Sequence, residues 1–180
     1  MIELIAAMVL VAIMAPTIGL LVQNVLRSMM HNNIAIQATE DAEYVIRNFT
    51  KHIDGVNVFT DGSLTSSSVS FRSYADDADY VYQLRDGDRD LIYSRPDGTT
   101  ETGALIKNVV VDSTVDIYSK FIYRGHDNSD LIGGGITPTN ANIKSIELVF
   151  VLLRNKDTYK YNIYVLPDKE AHINPTGIEL

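Results

Sequence analysis

The sequence predicts an α+β protein: a long N-terminal α-helix, apolar in its first half, packed by its second half on a largely antiparallel β-sheet head. Three observations lead there. No residue from Leu4 to Leu26 carries a charge, and Glu3 is the only charge before Arg27. Apolar residues recur at steps of three and four from Ile34 to Ile53, as on a helix with one buried stripe. Beyond Gly55, short runs of β-branched and aromatic residues alternate with turn-forming residues.

Whole-chain averages hide this division. A length of 180 residues suits one globular domain with an appendage. All five Met lie within the first thirty positions, and all ten Tyr lie at Tyr44 or later. The two regions are built for different solvents. The net charge of −8 repels polyanions, and no basic run is present, so nucleic acid is not an expected partner. The absence of cysteine excludes disulfides and thiolate metal sites.

Residues 1–27 read as a transmembrane or filament-core helix. The 23 uncharged positions Leu4–Leu26 give about 35 Å of helix at ~1.5 Å per residue, against a hydrocarbon core of ~30 Å. The run exceeds the ~7–15 apolar residues of a signal peptide and lacks its basic start and small-residue cleavage site. Glu3 stands at the lip of this run. A charge inside a bilayer costs ~2.5–3.5 kcal/mol, although at the water interface it costs little. Pro16 offers no N–H to the Ala12 carbonyl, and Gly19 adds backbone freedom, so the helix is expected to be weakest from Ala12 to Gly19.

Residues 28–54 continue the helix into the head. Ile34, Ala38, Ala42, Val45, Phe49 and Ile53 form the apolar stripe, while Glu40, Asp41, Glu43, Arg47 and Lys51 fall mostly elsewhere. Asp54-Gly55 is a suitable stop. One helix from Ile2 to Ile53 is expected.

The start of the chain, from Met1-Ile-Glu-Leu-Ile to Ile13, resembles the N-terminal methylation motif of type IV pilins and type II secretion pseudopilins. The family's glutamate matches Glu3, and its helix-weakening residues find counterparts in Pro16 and Gly19. In the family this glutamate is usually the fifth mature residue; here it is the third. The likeness is tight over about thirty residues, and the long helix followed by a β head extends it loosely over the rest. It implies a prepilin peptidase, an inner-membrane assembly platform and a homo-oligomeric helical filament. The subunit would lie in the inner (cytoplasmic) membrane before assembly and in a cell-surface filament afterwards. Met1, Glu3, Pro16 and Gly19 are the implied assembly residues. In a bundle of such helices Glu3 is buried and needs a cation. The N-terminal ammonium of a neighbouring subunit is the nearest, and that pairing would set axial register.

Residues 55–180 form the expected head, with roughly seven strands. The runs are Val69–Ser73, Tyr80–Leu84, Leu91–Tyr93, Leu105–Val111, Val115–Tyr123, Ile143–Leu153 and Tyr159–Leu166. The stripe Ala38–Ile53 should lie across one sheet. Residues 125–142, with Gly133-Gly134-Gly135 and Pro138, read as a long mobile loop, and Asp168–Leu180 as an irregular tail.

No enzyme motif is present: neither H-E-x-x-H, nor G-x-S-x-G, nor a Gly-rich phosphate loop with its lysine. His31, His52, His126 and His172 show no metal-ligand spacing. Asp86, Asp88 and Asp90, with Asp97 beyond, are a weak Ca²⁺ candidate. Leu91 stands where an EF-hand needs Gly, and Asp86-Gly87 between two strand-like runs is a stronger hairpin signal. Asp76-Asp77-Ala78-Asp79 reads as a solvated turn. Asn48-Phe49-Thr50 matches the glycosylation pattern but lies mid-helix. No cofactor is otherwise expected. The expected function is a filament subunit, with the shaft favoured over a minor, priming or capping pilin or pseudopilin. The rival of another class is a single-pass membrane-anchored binding domain that never polymerises.

Overall fold

The computed structural model describes residues 2–74, 77–95 and 103–167. Helix α1 spans Ile2–Asp54. Eight strands follow: β1 Val56–Phe59, β2 Ser68–Ser73, β3 Asp79–Arg85, β4 Asp90–Ser94, β5 Gly103–Lys107, β6 Lys120–Arg124, β7 Ser145–Arg154 and β8 Asp157–Val165. The chain divides into two compact units, Met1–Thr39 and Glu40–Leu180. The division falls inside α1, between the expected boundaries at 27 and 54. The second unit carries the buried positions Ala42, Val45, Phe49 and Ile53.

In the second unit, β1 to β5 form one antiparallel meander in chain order, and β6, β7 and β8 form a second antiparallel sheet. Register follows alternation. Val69 opposes Tyr82 and Phe71 opposes Tyr80, so β2 and β3 turn the same residues inward. Alternation breaks in β4, where Asp90, Leu91 and Ile92 are all buried. The register shifts between Leu91 and Ile92, which oppose Ile106 and Ala104, so Leu105 of β5 is the extra residue of a β-bulge.

The helical stripe closes the core against both sheets, not one as expected. Phe49 meets Tyr82 of β3 at 5.3 Å between ring centroids and Phe121 of β6 at 6.0 Å. One turn on, His52 stacks on Tyr93 at 4.7 Å, and its Nδ1 lies 2.6 Å from the Tyr82 hydroxyl. Asp41 accepts a hydrogen bond from Arg154 at the end of β7. Backbone bonds sew the sheets together: Phe121 N donates to Ser66 O at 2.8 Å, and Val110 N donates to Val151 O at 2.8 Å. The Tyr123 hydroxyl donates to Ser68 O at 2.6 Å, and buried Ser119 accepts from Val151 N at 2.8 Å.

Three expectations need correction. The described residues form eight strands, because β1 follows α1 directly. Val115–Ile117 are exposed and lie outside any strand, and β6 starts only at Lys120. Residues 125–142 are a series of hydrogen-bonded turns anchored by buried Leu131 and Pro138. Leu131 N donates to Tyr123 O at 2.8 Å, and Asn140 N donates to Asp61 at 2.7 Å. Asn140 in turn accepts the Phe59 N–H at 3.1 Å, occupying a donor of edge strand β1. The tail 168–180, with His172, lies outside the described residues.

Candidate functional site

The first unit is the candidate assembly surface. Its residues 2–33 are exposed throughout. Seventeen large apolar side chains from Ile2 to Met30 each keep more than half of their surface accessible. Full burial of such a set is worth roughly 25–50 kcal/mol at ~1.5–3 kcal/mol per side chain. That exceeds the ~5–15 kcal/mol net stability of a whole domain. A surface of this kind belongs in lipid or against other apolar helices, not in water. Helix α1 contains an apolar stretch long enough to cross a membrane.

Glu3 occupies the first turn of α1, where a carboxylate complements the positive end of the helix macrodipole. Met1 lies outside the described residues. The helix runs without interruption through Pro16 and Gly19, so the expected weak span is not a break in the ladder. The Pro16 ring still removes one donor. Beside it, the Thr17 hydroxyl donates to Met14 O at 2.7 Å. No heavy atom lies within 4 Å of where a Cβ on Gly19 would stand. Nothing close by in the chain therefore requires a glycine there.

The structure does not bring the other sequence candidates together as a site. Arg85 holds Asp90 through two hydrogen bonds of 2.9 and 2.7 Å and lies 3.2 Å from Asp88. Two of the three carboxylates offered to Ca²⁺ thus face one guanidinium, and Asp97 lies outside the described residues. Asp86 and Gly87 open the β3–β4 connection, as the hairpin signal implied, but the left-handed residue is Arg89, at φ 50°. Asp77 and Asp79 face Arg72, Asp79 at 2.9 Å, while Asp76 lies outside the described residues. Among the described residues no group of three His, Asp or Glu side chains is placed to hold a metal ion. The Asn48 amide donates to Tyr44 O at 2.8 Å within the helix, beside buried Phe49.

The stacked rings of His52, Tyr80 and Tyr93, with Tyr82 tilted against His52 and Tyr93, were missed by sequence reasoning. Its one signal was position: His52 follows Phe49 by three residues, so it shares the stripe facing the sheets. Burial pushes the Tyr82 and Tyr123 hydroxyls well above the ordinary tyrosine range. These features build a core.

No protein-family model, no curated protein and no solved structure matches this chain. Among the described residues, sequence and fold establish an apolar helix long enough to span a membrane and a largely antiparallel β domain.

Proposed function

We propose that this protein is a structural subunit of a type IV pilus-like filament that polymerises through α1, as a shaft subunit in the first instance. The observation that carries this reading is the exposure of an unbroken apolar helix with one carboxylate at its lip. A membrane anchor needs only apolar length. It does not need a charged residue at the third position, nor a helix that continues directly into the stripe of a folded domain. Gly19, with open space around it, suits close approach by a second helix. Assembly would remove the seventeen exposed side chains from lipid and bury them against copies of the same segment. Glu3 would then lie in an apolar surround and require a cation from a neighbour. The resemblance to pilins adds a prepilin peptidase and an inner-membrane platform as partners. On this reading the finished filament would lie outside the cell.

Glu3→Ala tests this. The expected variant inserts into membranes in normal amount and forms no filaments. Normal filaments from Glu3→Ala would overturn the assembly role and leave the non-polymerising anchored domain as the better reading.

A further inference from the structure

We infer that the outer edge of β8 is an interaction surface for a second copy of this chain, whose own β8 pairs with it antiparallel about a two-fold axis at Tyr161. The inference concerns the second unit alone and does not depend on polymerisation through α1.

The open main-chain groups follow from the ladder. In β7, Val151 N donates to Ser119 Oγ, Val151 O accepts from Val110 N, and Leu153 N donates to Asn108 O. Both residues thus turn their main chain away from β8. Their β8 partners Lys160 and Thr158 must then turn theirs away from β7, and alternation carries this on to Asn162 and Tyr164. Thr158, Lys160, Asn162 and Tyr164 are all exposed. None of their main-chain N–H or C=O groups has a hydrogen-bond partner among the described residues.

The other strand edges are blunted. Phe59 N of β1 donates to Asn140. On β6, Phe121 N donates to Ser66 O, and Tyr123 O accepts from Leu131 N. β5 has five residues and carries the bulge. β8 runs for nine residues with no proline and no shift of register. Such an edge accepts an added strand.

Register favours a second copy as that strand. Lysine on an edge usually discourages pairing. When β8 pairs with itself so that every open group gains a partner, Thr158 stands opposite Tyr164 and Lys160 opposite Asn162, twice over by symmetry. No like charges are directly opposed, and both lysines keep to the solvent face. A slip that centres the axis on Lys160 would oppose the two lysines and leave Tyr164 unpaired. On the inner face Tyr161 meets its own counterpart and Tyr159 meets Ile163, cross-strand pairs of a kind that stabilises sheets. Tyr159 and Tyr161 are half-buried in the single chain, so pairing covers ring surface as well as main chain.

This contact is isologous, so it joins two copies and stops. It is small and therefore weak for one pair. On the filament reading it would tie one filament to another rather than lengthen either, and many such contacts in an array would add.

Hydrogen exchange on the intact chain in detergent tests this, with Glu3→Ala copies run in parallel to remove assembly through α1. On concentration to about 1 mM, the amides of Thr158, Lys160, Asn162 and Tyr164 should slow at least about threefold. Those of Tyr159, Tyr161 and Ile163, bonded to β7, should stay slow throughout. Outward amides that remain fast at every concentration, or slow at every dilution, would overturn the proposal.

The absence of cysteine permits a geometric arm. Opposed Cα atoms in a hydrogen-bonded pair lie ~5.5 Å apart, within disulfide reach. Mixed Lys160→Cys and Asn162→Cys copies should therefore form disulfide dimers on oxidation, and either variant alone far fewer. Equal yields from the mixture and the single variants would reject the pairing. Asn162→Lys opposes lysines twice and should weaken the dimer about fivefold or more, with Lys160→Glu copies restoring it when mixed in. An Asn162→Lys chain that dimerises normally would also overturn the proposal. Normal filaments from Glu3→Ala would remove the filament reading and leave this contact standing.

Discussion

Phe49 meets Tyr82 edge to face at 5.3 Å, joining the second half of α1 to the middle strand of the five-stranded sheet. Both rings are inaccessible to solvent, and Phe49 also reaches Phe121 of the other sheet. Phe49→Ala should therefore lower the stability of the second unit by about 3–5 kcal/mol, the usual range for a buried ring. Phe49→Leu should lose less. Denaturant unfolding of the intact chain in detergent measures both. A loss from Phe49→Ala comparable to that of a surface substitution would mean the helix does not close the core.

Arg85 and Asp90 should respond unequally to removal. The Asp90 side chain is 4% exposed and that of Arg85 is 41% exposed. Arg85→Ala strands a buried carboxylate, whereas Asp90→Asn leaves a guanidinium that can turn to water. The thermal midpoint should fall further for Arg85→Ala than for Asp90→Asn. The reverse order would place the pair in a wetter setting than its geometry indicates.

Stability should erode at both ends of the pH scale. Burial raises Tyr82 and Tyr123 in the folded state. Their contribution is complete below the unfolded value near ~10 and drains as pH rises beyond it. Phenolate absorbance from these two residues should appear only with unfolding, above about pH 10. At the acid end, Asp79 is held low by its hydrogen bond from Arg72, Asp112 by the Thr114 backbone N–H, and Asp127 by the Ser129 hydroxyl. Their contribution is present above ~3.9 and is lost as pH falls through the lowered folded values. All three lie at the surface, so this loss should be small and should shrink with added salt. Tyr82 and Tyr123 ionising in the folded chain near pH 10 would contradict the burial argument.

The β7–β8 turn invites a gain. Asn155 and Lys156 hold φ of 48° and 76°, the two left-handed positions of a tight hairpin. Lysine is strained there and glycine is not. Lys156→Gly should stabilise the second unit by about 0.5–1 kcal/mol. Equilibrium unfolding with no gain, or with a loss, would show that the lysine stem packs usefully.

Much of this fold was legible because the physics is periodic. Steps of three and four gave α1 nearly to its last residue, and alternation with intervening turn residues gave β2, β3, β7 and β8. What escaped lacks a period. Strand β1 has four residues with only its ends buried, so it shows no alternation. Val115 and Ile117 look like strand residues, yet they sit exposed outside any strand. Residues 125–142 are tied to the start of the head by hydrogen bonds between Asn140 and both Phe59 and Asp61, and such long-range bonds leave no trace in hydropathy. The candidate site was legible as chemistry, in a lone carboxylate beside an uncharged helix.

Electron microscopy of the purified intact chain after detergent removal tests the polymer most directly. The expected result is filaments of uniform diameter, absent from a parallel Glu3→Ala preparation. Dispersed single molecules, or vesicles carrying unassociated copies with Glu3 open to solvent, would contradict it.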